Sequence, residues 1–65
     1  EVHVELIGEG RRTVHVRPPA TYGDVIRACG HSPQAVTAIV DGRPRPADTP
    51  LETAELRLLR LIKGG

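Results

Sequence analysis

The sequence predicts an α+β fold, a single sheet with one helix covering one face. Three observations carry that expectation. Two runs of period-two alternation flank a glycine-containing turn at the start of the chain. A short stripe of helical spacing follows, and further extended segments close the chain, giving the order ββαββ with one brief strand near the end. A chain of 65 residues has room for one small domain and little for an enclosed active site.

Residues 1–7 place Val2, Val4 and Leu6 on one side and His3, Glu5 and Ile7 on the other, the pattern of a half-buried strand. Gly8-Glu9-Gly10 supplies the turn. Residues 13–17 alternate again, with Val14 and Val16 facing one way, and Pro18-Pro19 ends that strand because neither residue can donate to a ladder. Thr21 reads as a helix N-cap with Asp24 three residues on as a capping-box acid. Residues 22–29 carry Val25, Ile26 and Cys29 on a narrow apolar stripe, and Gly30 is the stop signal. Gly23 costs so short a helix ~1 kcal/mol against alanine, so tertiary packing must hold it. Ser32-Pro33 starts a further single turn. Residues 36–40 are β-branched and alternating, Asp41-Gly42 is a tight hairpin turn, and the proline-rich stretch 43–50 allows only a short edge strand. Residues 55–62 form the last apolar run. The expected core is Val2, Val4, Leu6, Val14, Val16, Val25, Ile26, Cys29, Val40, Leu56 and Leu58.

Composition removes several classes of function. Nine Lys plus Arg stand against eight Asp plus Glu, a net charge of +1, which is too little to hold a polyanion by charge alone. Aromatics make up 2% of the chain, with Tyr22 the sole example, so bases find no stacking platform and no direct nucleic-acid partner is expected. No apolar run approaches the ~20 residues that cross a bilayer, so no membrane partner is expected either. A lone cysteine, Cys29, closes no internal disulfide and fits a reducing, cytoplasmic setting.

The ending, Arg60-Leu61-Ile62-Lys63-Gly64-Gly65, is the most informative stretch. It follows the last strand with no spacer, so residues 62–65 are expected to form a flexible arm on a domain of residues 1–61. A carboxylate at the end of such an arm suits acyl activation inside another protein's cleft. Gly65 puts no side chain beside the acyl carbon, and Gly64 opens backbone conformations closed to other residues. The chain would be substrate and carrier, not enzyme.

The ββαββ order, Thr21-Tyr22-Gly23-Asp24, Ser32-Pro33, Val40-Asp41-Gly42-Arg43-Pro44 and the run from Leu59 to Gly65 together resemble the ubiquitin-like β-grasp proteins. Within them the chain is most similar to the archaeal small modifier proteins of the second type. The resemblance spans essentially the whole chain and implies a mixed sheet of four to five strands with one helix on one face. It further implies a protein modifier and sulfur carrier; separately, a monomer is expected. A ubiquitin-activating-like adenylyltransferase would adenylate Gly65, using ATP, with no cofactor bound by the carrier. The acyl group would pass to target protein lysines as an isopeptide. Alternatively, sulfur-transfer enzymes would convert it to a thiocarboxylate for tRNA thiolation. Two alternatives stay open: a dedicated sulfur carrier for molybdopterin or thiamine synthesis, and a non-covalent β-grasp module with an inert tail.

Other residues take roles around that tail. Lys63 and Arg60 steer it toward an acidic groove, helping association rates more than final affinity; the other reading of Lys63, the sole lysine, is an acceptor for chain building. In a β-grasp sheet Ile7, Ile39, Leu59 and Leu61 fall opposite the core and form one exposed patch of the kind that docks partners. Cys29 is a core filler. His3 and His15 are expected as cross-strand neighbours, too few to hold a metal. Arg43 and Arg45, alternating with Pro44 and Pro46, read as a protected sheet edge.

Overall fold

A computed structural model describes residues 1–61. Its elements are β1 (Val2–Leu6), β2 (Gly10–Val14), α1 (Tyr22–Ala28), β3 (Val36–Val40), β4 (Arg43–Arg45) and β5 (Glu55–Arg60). They form a five-stranded sheet in the order β2-β1-β5-β3-β4 with the helix on one face, the β-grasp arrangement. β1 and β5 run parallel and the other pairs are antiparallel, so the sheet is mixed. The strand that leads into the C-terminal tail is therefore the central one, paired on both sides.

Local chemistry explains most of these boundaries. The first hairpin turns sooner than its alternation suggests. The Glu9 amide donates to the Leu6 carbonyl at 2.9 Å, and Gly8 and Gly10 take φ of 86° and 102°. Only glycine enters that region without penalty. β2 consequently begins at Gly10 and takes in Arg11 and Arg12, with Leu6 opposite Gly10 and Val2 opposite Val14. The expected strand over 13–17 is thus shifted toward the N-terminus. His3 faces Thr13 rather than His15, and a 3.2 Å contact joins Thr13 Oγ1 to His3 Nδ1.

The helix is capped as its sequence predicts. The Asp24 amide donates to Thr21 Oγ1 at 3.2 Å, and the Thr21 amide donates back to Asp24 Oδ2 at 2.9 Å. Gly23 has a tertiary reason to be glycine: its amide donates to the Ala47 carbonyl at 2.8 Å, and a Cβ would stand 3.1 Å from that oxygen. Segment 46–54, which returns the chain from the sheet edge to its centre, is pinned across the helix start in this way. In the second hairpin Asp41 and Gly42 both have positive φ, 53° and 76°, matching a two-residue turn to the strand twist.

The core holds nine of the expected residues and adds Tyr22, Val36 and Ala38. Val16 and Val40, expected inside, pack against it only partly buried. Val16 follows the end of β2, and Val40 closes β3 beside the turn, so each packs at the margin of its strand. Tyr22, at 2% exposure, opens the helix against the core; its phenol ring supplies apolar volume that a chain without Phe, Trp or Met otherwise lacks.

Candidate functional site

The open face of the sheet carries the residues opposite the core. Registers place Glu5 beside Arg57, Arg57 beside Ile39 and Leu59 beside Thr37. The Ile7 amide donates to the Leu58 carbonyl at 3.1 Å, which continues the parallel ladder and sets Ile7 alongside Leu59. Ile39 lies diagonally across from Leu59. Of the four patch residues, Ile7, Leu59 and Leu61 are exposed, at 48%, 39% and 48%, whereas Ile39 is half-buried. The apolar side chains gather at the end of the sheet where β5 leaves it.

The other end of this face is polar. It curves into a concavity of about 800 Å³ lined in part by His3, Glu5, Arg11, Ile39 and Arg57. Arg57 Nε stands 3.2 Å from Glu5 Oε1, a solvent-exposed pair across the parallel strands. Ile39 is the one patch residue that borders the concavity. One face thus offers an apolar strip near the tail and a charged hollow away from it.

At the root of the tail, β5 ends at Arg60, and the Leu61 amide still donates to the Ala35 carbonyl at 2.8 Å. The Arg60 guanidinium is held by Glu9 at 2.6 Å, across from the first hairpin turn. That pair was not legible in the sequence, since the partners are 51 positions apart. It means that Arg60 is partly neutralised where it stands. Ile62, Lys63, Gly64 and Gly65, which include both predicted attachment residues and the steering residue Lys63, lie outside the described residues.

Cys29 is buried at 4% exposure and caps the helix. Burial pushes its thiol up from the ordinary value, and the nearby Arg12 guanidinium opposes that shift. Arg12 also donates to the Cys29 carbonyl at 2.9 Å, satisfying one of the open carbonyls at the helix end. A buried, protonated thiol is a poor nucleophile. Among the described residues there is no group of three or more His, Cys, Asp or Glu placed to hold a metal ion, and no helix long and apolar enough to cross a membrane.

Comparison with known proteins bears on the whole chain. A family model described as Small archaeal modifier protein 2 matches residues 1–62. Small archaeal modifier protein 2 of Haloferax volcanii is 48% identical over 64 residues, covering 98% of this chain and 97% of that protein. An uncharacterized protein of Archaeoglobus fulgidus is 26% identical over 66 residues, covering 100% of this chain and 98% of its own. A solved structure of a protein from Haloferax volcanii shares 48% identity, covers 98% of this chain and 97% of its own, and superposes with a TM-score of 0.41.

Proposed function

The chain belongs to the small archaeal modifier protein 2 family, ubiquitin-like protein modifiers, and from that premise we propose that its chemistry is carried by the Gly65 carboxylate. An ATP-dependent activating enzyme, a ubiquitin-activating-like adenylyltransferase, converts that carboxylate to an acyl-adenylate. One carboxylate oxygen attacks the α-phosphate of ATP, and pyrophosphate leaves. A target lysine ε-amine then attacks the acyl carbon; an N–C bond forms, AMP departs with its oxygen, and the amine gives up a proton. When sulfide-level sulfur supplied by a sulfur-transfer enzyme attacks the same acyl carbon instead, a C–S bond forms, AMP departs with its oxygen, and the product is a thiocarboxylate that donates sulfur onward for tRNA thiolation. The setting proposed is cytoplasmic, and the small domain supplies no catalytic group of its own.

One observation supports this best: the central strand β5 runs to within a few residues of Lys63-Gly64-Gly65, beside the apolar strip of Ile7, Leu59 and Leu61. A catalyst that docks on the strip has the reactive end within reach, because the four residues after Leu61 span at most ~14 Å at ~3.4 Å each. Incubation with ATP and the activating enzyme should yield an acyl-adenylate at Gly65, detected by intact mass. Deleting Gly64-Gly65 should abolish it completely. Cleavage by trypsin after Lys63 should leave Gly-Gly on target lysines. A sulfur-for-oxygen mass at Gly65 in a cell without any such remnant would restrict the protein to sulfur delivery.

A further inference from the structure

The described body carries eight positive side chains, and every one is an arginine; the single lysine of the sequence is Lys63. Packing explains that choice at only a few positions. Arg12 uses its guanidinium to reach the Cys29 carbonyl, and Arg45 is half-buried on the short edge strand. Elsewhere the arginines are exposed. Arg27 meets Asp24 at 3.4 Å with 63% of its side chain open to solvent, and Arg57 meets Glu5 with 66% open. A lysine would serve such solvated pairs as well, since they contribute little to stability.

For acyl transfer the difference is absolute. An ε-amine can lose its proton and present a lone pair to an acyl carbon. A guanidinium stays protonated, its nitrogen lone pairs delocalised. Residues 1–61 therefore offer no ε-amine acceptor for a second activated copy. Lys63 is a poor substitute once the first copy is attached. It lies two residues from the carbonyl joined to the target, within ~7 Å of that bond along the chain. That is less than the ~10–12 Å diameter of one helix, so the target's own surface obstructs a loaded enzyme there.

Resting on the modifier function proposed above, we infer that this protein is attached as single units. A second copy finds no usable lysine on the first, so isopeptide-linked chains do not grow. The co-reactant is ATP, as before; what is missing for a second transfer is the nucleophile.

The test uses the full tagged chain expressed in its own cell, with conjugates enriched, digested by trypsin and searched for Gly-Gly remnants. The native sequence should give remnants on lysines of other proteins and none on Lys63. The variants Arg27→Lys and Arg43→Lys each restore an ε-amine at an exposed position, one on the helix and one at the sheet edge. Each should gain a remnant at the substituted site, along with conjugates larger by one further tagged copy, 7.0 kDa plus the tag. A remnant on Lys63 in the native chain overturns single-unit attachment while leaving the modifier function intact. Absence of any remnant at both introduced lysines, with ordinary conjugates present, overturns the idea that acceptor supply limits growth. No remnant on any protein removes the modifier function, and this inference with it.

Discussion

The helix-covered face of the sheet and its open face draw alternate residues from the same strands, yet they differ in nearly every chemical property. On β5, Leu56 and Leu58 are 5% and 2% exposed, while Arg57 is exposed and Leu59 is 39% exposed. On β1, Val2, Val4 and Leu6 are buried, while His3 is open and Glu5 half-covered. A step of one residue carries a side chain from the core to the surface. What this teaches concerns leucine: residue type alone does not assign a role. Leu58 and Leu59 are chemically identical neighbours, one committed to holding the fold and the other left available for contact.

Truncating the covered side should have the largest effect. Leu58→Ala removes a buried side chain from the central strand and is expected to cost ~2–5 kcal/mol. A domain of this size has only ~3–10 kcal/mol in all, at ~0.05–0.15 kcal/mol per residue. Thermal denaturation should show most of the cooperative transition lost or displaced far downward. The neighbouring change Leu59→Asp should cost ~1 kcal/mol or less, while slowing Gly65 adenylation at least ~10-fold if the strip docks the activating enzyme. Equal destabilisation by the two changes would break the division between faces. An unaltered adenylation rate would leave the division standing and remove docking from the strip.

Period-two alternation made β1, β3 and β5 legible, and with them the sides on which Leu58 and Leu59 fall. The capping pair Thr21 and Asp24 was equally plain, because its chemistry is local. The second strand was displaced for a physical reason: two glycines with positive φ tighten the first hairpin, so Arg11 and Arg12, polar and turn-like in sequence, enter the ladder. Tyr22, Val36 and Ala38 escaped the expected core because each is decided by what lies over it. Long-range pairs such as Arg60 with Glu9 and Arg12 with the Cys29 carbonyl leave no periodic trace. The proposed attachment residues, Gly64 and Gly65, lie outside the described residues, and their signal in the sequence is chemical identity rather than pattern.

A smaller effect tests the covered side by titration. Cys29 has its thiol pushed up by burial, so the folded state favours the protonated form. Its contribution is fully present below pH 9.0, the ordinary thiol value, where folded and unfolded chains are both protonated. Above that the unfolded chain releases its proton first, and stability falls as pH rises toward the folded value. Urea titrations of the native chain and of Cys29→Ala should therefore run parallel up to about pH 8 and converge above pH 9. A native chain whose stability held level relative to the variant through pH 10 would place the thiol in contact with water.

The smallest effect sharpens the open side at the root of the tail. Glu9 and Arg60 are each about half exposed, so their 2.6 Å pair contributes little to folding, on the order of 0–1 kcal/mol. Glu9→Gln should accordingly leave the melting transition almost unmoved. Its consequence lies in association. Freeing Arg60 adds about one unit of positive charge next to the tail, and an acidic groove on the activating enzyme would draw in the variant faster, by roughly 2- to 3-fold at low ionic strength. Added salt should erase that gain, because the Debye length shortens to ~8 Å near physiological strength. Stopped-flow association rates at two salt concentrations decide the matter. A slower rate in the variant would mean that the pair itself, by fixing the direction of β5's exit, matters more than the charge it conceals.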